Sequence, residues 1–481
     1  METGRKDWFL RGGVVELVAS MDRRYWGRTF SESSRWLLVA ALVYAPWAYG
    51  CTFPWASLIL DCLLGTLFLL WLASCIAGGV SPVLARIPFF CALLLVSTGA
   101  FLAWNAHFKH DPASHRFMPI GTCIPLLPGW IDQARSASAL LHIAAMLGTL
   151  LFVCDVARGK IWRKRLLGVM ALVGASIAFL GLLQKATAAP MIFWQRGHAE
   201  SPFFGGYYYH GNAGAFLNLV LPLTAALAFR SLRGTGKQTQ TAIWVPALLV
   251  CLAATTVNVS RAASFISGLL ACAWAAFEWS RFRRNHFPVS RLSIVFVLAL
   301  VFTSLFAVSL SAGSGQAWQK WGWLKGQLNE ENPRYVVACV CVDMIKDSGD
   351  FGFGPGTFEI AFPHYTNHLG GSIRGVWRFA HQDYLQTLIE WGWCGALPWA
   401  LLLFGAILKA FFGRGDSPSE ARFRFACGLA LLGIAGHAMV DFPFQIASLQ
   451  LYAAVLAGIA WSRPTCPHAA LEEAGAVQQK L

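Results

Sequence analysis

The segment RFAHQDYLQTLIEWGWCG, Arg378 to Gly395, places His381 and Asp383 at the mouth of an apolar run that contains Glu390. A histidine at such a boundary can be a general base, because it titrates near neutrality. It can also be an interfacial residue bonded to its own loop. Asp383 stands at the start of the following helix, where a carboxylate suits the positive end of the dipole. It is either a helix cap or a helper of His381. Glu390 lies inside the apolar run, where a carboxylate is costly unless paired, so it is part of a site or a structural lock.

Arginines form the second candidate group. TTVNVSRAASFISG, Thr255 to Gly268, interrupts two apolar runs with Arg261, and NPRYVV puts Arg334 at the start of a helix in a long loop that also holds Lys346, Arg374 and Arg378. Arginine gives planar, bidentate contacts to phosphate. One arginine alone reads equally as a residue reaching for lipid headgroups or as a solvated loop charge. Several beside one histidine suggest a site for a phosphate-bearing group. The aromatic, glycine-rich stretch HAESPFFGGYYYHGN suits sugar contacts or an interfacial belt, and its His210 and Asn212 sit where the next apolar run begins. In DFPFQ, Asp441 follows His437 and is expected to pair with an arginine of the site. His107, His110 and His115 lack a matching carboxylate cluster, and the 13 cysteines are scattered. We expect no disulfide framework and no metal site.

The elements that must position these residues are membrane helices. The 481-residue chain is 56% hydrophobic and 13% charged, with a mean hydropathy of +0.52. A soluble domain would carry roughly 25% charge. The apolar runs have the length a helix needs to cross a bilayer, and the 21 tryptophans fit interfacial belts. The expected architecture is an all-α polytopic membrane protein with about twelve spans, near 36–52, 55–77, 88–105, 137–157, 166–185, 212–230, 242–259, 263–280, 292–311, 383–410, 425–440 and 446–461. The basic loops at 158–165, 230–237, 281–291 and 413–424 fall on one side, together with a basic N-terminal arm, 1–35. By the positive-inside rule that side is cytoplasmic, as is the tail 462–481. The net charge of +14 is thus a topology signal, and no nucleic-acid partner is expected. The other side receives the loops near 106–136, 186–211 and 312–382, the last inserted as a cap with short helices of its own into a membrane domain, 36–461. In it, PRYVVACVCVDMIKDS carries an apolar stripe at helical spacing (Val336, Val337, Val340, Met344, Ile345), and GFGPGTF is a turn-rich break.

PRYVVACVCVDMIKDSGDFGFGPGTFEIAFPHY, followed by RFAHQDYLQTLIEWGWCGALPWALLL, resembles the bacterial O-antigen ligase and polymerase superfamily of membrane glycosyltransferases. The shared pattern is an arginine opening a loop helix, a G-x-G-P-G-like turn, a His-x-x-Tyr-Leu-Gln-like helix start and an acidic-x-Gly-x-x-Gly run. VSRAA matches a second family motif, a Ser-Arg-Gly-like turn, although Ala262 stands where glycine is common. HGNAGAFLNLVLPLTAAL and VDFPFQIASLQLYAAVLAGI are also similar. The likeness covers about 200–460; before that, it is one of hydropathy alone.

The resemblance implies a GT-C-like fold in the bacterial inner membrane, with the active site on the periplasmic side and both termini cytoplasmic. It implies transfer of a glycan from undecaprenyl diphosphate to an acceptor hydroxyl on the lipid A core or a similar lipid or glycan. Neither metal nor cofactor is implied. The family's histidine carries over to His381 and its two arginines to Arg261 and Arg334; Asp383, Glu390, Arg378, His210 and Asn212 are candidate supports. Polymerisation of lipid-linked repeat units is the alternative within the family. Outside it stand a polysaccharide transporter or flippase, though the chain lacks the internal repeat common in transporters, and a sensory or scaffold protein.

Overall fold

The computed structural model describes residues 3–197, 202–233, 238–285, 333–367, 369, 375–413 and 417–462. The expected span at 292–311, the loop portion 312–332, Arg374 and the tail from 463 lie outside the described residues. Helices α1 (Thr3–Trp47), α2 (Pro54–Gly78), α3 (Arg86–Trp104), α4 (Gln133–Val156), α5 (Lys160–Ala186), α6 (His210–Arg233), α7 (Gln238–Val257) and α8 (Arg261–Asn285) come first. Two loop helices, α9 (Pro333–Ser348) and α10 (Phe358–Thr366), precede α11 (Asp383–Phe412), α12 (Pro418–His437) and α13 (Ala447–Trp461). Eight helices among the described residues are long and apolar enough to cross a membrane. A backbone in hydrocarbon must satisfy its own polar groups, and the helix does so within one segment. The protein is thus a helical, polytopic membrane protein.

Three local features depart from the expected outline. The N-terminal arm is helical and continuous with the first apolar stretch, within α1. The loop after α3 holds a hairpin of β1 (Phe108–Asp111) and β2 (Arg116–Pro119). Asp132 fastens that hairpin to α4: its Oδ1 accepts the Arg135 N–H as a helix cap (2.7 Å), and its Oδ2 accepts the His110 N–H (2.7 Å). Lastly, α11 is broken at Gly392, whose φ is 57° and ψ −170°.

The break at Gly392 explains the glycine turn that precedes α10. It removes amide donors from the carbonyls of Ile389 and Glu390, and the turn supplies replacements: Phe353 N–H to Ile389 (2.8 Å) and Gly354 N–H to Glu390 (2.8 Å). In return, Cys394 N–H bonds the Asp350 carbonyl (3.0 Å). Gly352, at φ 73°, and Gly392 lie so close that a Cβ on either would run into the other strand of backbone. The loop cap is thereby stitched into the kink of α11. Helix α9 packs on it through Val337, Val340, Cys341 and Met344, all buried with Ile389, Phe358 and Phe362. That face keeps Val337, Val340 and Met344 of the expected stripe, with Ile345 packed beside it, and adds Cys341.

At the centre of the bundle stands α6, with 83% of its apolar window buried, against α5, α7, α8 and α12. The loop ends of α3, α4, α6, α8 and α11 meet one another. Trp130 bonds the Phe351 carbonyl through its indole N–H (3.1 Å), Arg135 pairs with Glu359 (3.1 Å), and Asn258 donates to the His210 carbonyl (3.1 Å). At the far end, Arg422 clasps Glu278 across α12 and α8 at 2.6 and 3.4 Å. Arg422 belongs to a segment whose charge marks topology in the sequence; here it forms a buried ion pair.

Candidate functional site

His381 lies immediately before α11, capped by Gln382, whose side chain accepts the Leu385 N–H (2.6 Å). His381 takes a left-handed backbone, φ 53°, which a non-glycine residue adopts at a cost and which clusters at functional sites. Its ring is held edge-on by Phe442 (4.7 Å) and Trp377 (5.3 Å). Its Nδ1 lies 3.2 Å from Asp441 Oδ1. Burial opposes ionisation of Asp441, but the bond from His381 and the neighbouring His437 outweigh it and hold the carboxyl well below the usual range. His437, fully buried, is 3.8 Å from Oδ2, beyond hydrogen-bond range, so its influence is that of a nearby polar ring. An ionised Asp441 only accepts. Nδ1 therefore carries a proton, and in the neutral ring Nε2 presents its lone pair.

The partner of Asp441 is thus a histidine pair, in place of the arginine that the sequence suggests. The signal was present in the spacing of His437 and Asp441, four apart, a separation that brings side chains together around a helix end. Gly211 makes room for the carboxylate, since a Cβ there would collide with Asp441 Oδ2 and the Tyr209 ring.

Arg334 reaches the same place from α9. Its Nη1 donates to the Val440 carbonyl (3.4 Å) and its Nη2 to the Tyr209 hydroxyl (3.2 Å). Tyr209 stacks on Phe442 (5.5 Å) and meets His381 edge-on at 6.4 Å. Burial and the Asp441 charge push its phenol up, so it stays protonated. In the sequence Tyr209 is one aromatic in a run of three tyrosines, and nothing there sets it apart. His210 packs against it at 4.7 Å, with Nδ1 3.3 Å from the Pro202 carbonyl. Asn258 ties His210 to the turn that opens α8 with Arg261. The two arginines and the histidine therefore come from loops that share one hydrogen-bonded and stacked cluster.

The other candidates divide. Asp383 is committed away from His381: its carboxylate accepts the Phe444 N–H (2.8 Å) and the Gln445 amide (3.0 Å), and its own N–H bonds Ala438 (3.0 Å). It clamps the start of α11 to the segment that carries Asp441 and Phe442. Glu390 accepts the Phe358 N–H (3.3 Å) and the Gln386 amide (3.2 Å), so it locks the glycine turn against α11. Arg378 is largely exposed and shares Glu359 with Arg135, at 3.6 and 3.1 Å. Asn212 is 4% exposed, and among the described residues its amide oxygen has no hydrogen-bond partner.

A cavity of about 1870 Å³ opens beside this cluster. Near the loops it is lined by Arg135, Arg378, Tyr209, Asn212, Asp383 and Gln445; deeper, by Leu150, Leu403, Phe404, Ala454 and Ala457. It is therefore polar at its mouth and apolar between α4, α11 and α13. Such a space suits an amphipathic ligand.

Residues 246–400 match the O-antigen ligase family. No curated protein matches the chain. The matched segment holds Arg261, Arg334, Arg378, His381, Asp383 and Glu390, whereas Tyr209, His210, Asn212 and Asp441 lie outside it. Over 246–400, about a third of its length, the chain is similar to the O-antigen ligase family, which supports the likeness to the ligase and polymerase superfamily.

Proposed function

We propose that the protein is an O-antigen ligase-like glycosyltransferase that moves a glycan from undecaprenyl diphosphate to an acceptor hydroxyl on the lipid A core or a similar molecule. The reaction belongs at the periplasmic face of the bacterial inner membrane, with both termini cytoplasmic, 36–461 forming the transferase domain and the 312–382 loop its cap. The observation that carries this reading is the His381–Asp441 pair, with Arg334 bound to its neighbours, beside a cavity polar at one end and apolar at the other. The apolar part suits a polyprenyl tail.

The chemistry follows from the tautomer. His381 Nε2 takes the proton of the acceptor hydroxyl as that oxygen bonds the anomeric carbon, and the bond from that carbon to the diphosphate oxygen breaks. A diphosphate leaves without needing a proton; it needs its growing charge stabilised, which Arg334 and Arg261 supply. A single displacement inverts the anomeric centre. Asp441 holds the ring and stabilises the imidazolium that forms, and Asp383 and Glu390 keep the surrounding backbone in place.

The test is a glycan profile of the envelope in a host deleted for this gene and complemented with wild type or His381→Ala. A deletion that accumulates long undecaprenyl-linked polymer, absent from its acceptor, identifies a ligase. Single repeat units on the acceptor identify a polymerase. In both cases wild type restores the glycan and His381→Ala does not. Rescue by His381→Ala removes the base from the mechanism, and an unchanged profile on deletion removes the activity.

A further inference from the structure

The cavity has a second polar wall, formed by α2 and α4, that the transfer chemistry does not use. Phe53, which caps α2, and Ser57 and Asp61 on it line the cavity at four-residue spacing, so they share one face. On α4, Arg135, Ser138 and His142, three and four residues apart, share another face. His142 joins the walls: Nδ1 is 2.6 Å from Asp61 Oδ1 and Nε2 is 2.6 Å from Gln450 Oε1. The Gln450 amide nitrogen donates to the Phe444 carbonyl (2.5 Å). A carbonyl can only accept, so the Gln450 oxygen must face His142 and Nε2 must carry a proton. Both ring nitrogens are occupied. His142 has no lone pair to offer as a base; it fixes Asp61.

Asp61 is left with an open oxygen. Its side chain is 29% exposed, it lines the cavity, and among the described residues Oδ2 has no hydrogen-bond partner. Asn212, which lines the same cavity, presents a second buried acceptor that has no partner among the described residues. Phosphate oxygens bring no donors to such groups, and a carboxylate repels them. Hydroxyl groups are the complement. Phe53 and Tyr208, packed edge-on at 5.5 Å, add aromatic lining beside them. One turn below His142 the wall becomes apolar at Met146, so the Asp61–His142 pair stands where a head group would meet a tail.

We propose that Asp61, held by His142 and joined by Asn212, forms a subsite for the hydroxyls of a saccharide, chosen by the arrangement of open acceptors. This rests on the transferase reading above. It places sugar recognition outside the segment 246–400 that matches the family, so the residues that select the glycan are separate from those that transfer it. The saccharide is either the first sugar of the lipid-linked donor or the acceptor.

The experiment measures binding to full-length protein in lipid nanodiscs. The probes are the lipid-linked glycan extracted from a host deleted for this gene, undecaprenyl diphosphate alone, and the acceptor glycolipid of that host. Wild type is expected to bind the lipid-linked glycan more tightly than the bare lipid diphosphate. Asp61→Asn and Asn212→Ala are expected to weaken one saccharide-bearing probe by roughly tenfold or more while leaving undecaprenyl diphosphate unchanged. The probe that weakens names the source. Asp61→Glu, which keeps the acceptor, checks that the fold survives substitution here. Equal loss for the bare lipid, or no loss for either saccharide, overturns the subsite while wild-type binding upholds the transferase. If wild type binds none of the three, the transferase reading fails and the subsite with it.

Discussion

Two histidine–aspartate pairs flank the cavity, His142–Asp61 in its lining and His381–Asp441 in the cluster beside it, and they differ in the second ring nitrogen. At His381, Asp441 takes Nδ1, and among the described residues Nε2 has no hydrogen-bond partner. At His142, Asp61 takes Nδ1 and Gln450 takes Nε2. In the proposed mechanism the same pair of residue types gives a base beside the cavity and a strut in its lining. What decides the role is the partner of the far nitrogen, a feature invisible in the pairing itself. The pairs also differ in backbone: His381 sits at a left-handed turn between loop and helix, whereas His142 lies well inside α4. A group that must meet a substrate is placed where the backbone is irregular, and one that must hold still is placed in a helix.

The largest effect that would break this comparison is at His381. His381→Ala should lower transfer by about 10³-fold or more, since the acceptor loses its base and its ring-held orientation. The equivalent His142→Ala should leave chemistry detectable and instead lower thermal stability and saccharide affinity. Next come the aspartates. Asp441→Asn should cost roughly 10³–10⁴-fold in kcat, because an amide no longer enforces the Nδ1–H tautomer. Asp383→Asn, although closer in sequence to His381, should act on stability, lowering Tm with kcat of the folded protein within a few-fold. Single-turnover transfer alongside thermal melting separates the two.

Arg334→Lys should raise the donor Kd by roughly tenfold, since an ammonium cannot keep both the Tyr209 and Val440 contacts and still face a diphosphate. Titration with undecaprenyl diphosphate measures it. Gly392→Ala should lower the melting temperature and loosen the loop cap, with a cost of at least about 1–2 kcal/mol from the left-handed backbone. Protease sensitivity of the 349–357 turn gives a local readout.

The smallest effect is on pH. The native pKa of Asp441 is depressed, so its contribution to stability is complete above the unfolded value of about 4 and fades as pH falls below it. The melting-temperature gap between wild type and Asp441→Asn should hold steady from about pH 7 to 5 and narrow below about pH 4. A gap that narrows above pH 5 would contradict the depressed value.

Much of this was legible in the sequence for a physical reason. Apolar runs must be helices in lipid, and the long loops gather arginines at one end, so the helical bundle and the meeting of His381, Arg334 and the Arg261 turn could be anticipated. Asp441 was visible but misassigned, because the chain separates it from His381 by all of α11 and α12 and only the fold brings them together. Asp383 does less for His381 than its sequence proximity suggests, since its carboxylate is taken up by Phe444 and Gln445 while Gln382 caps the helix. Asp61 and His142 went unnoticed among apolar residues, although a charged group inside a span is itself a signal. Their pairing across α2 and α4 required the packing.

The most direct test of the account is the rate of glycan transfer by purified protein in vesicles loaded with the lipid-linked donor, compared between Asp441→Asn and Asp383→Asn. The account predicts that Asp441→Asn loses kcat by orders of magnitude with donor binding intact, while Asp383→Asn keeps its kcat. Wild-type turnover by Asp441→Asn would contradict the central claim that the His381–Asp441 pair activates the acceptor.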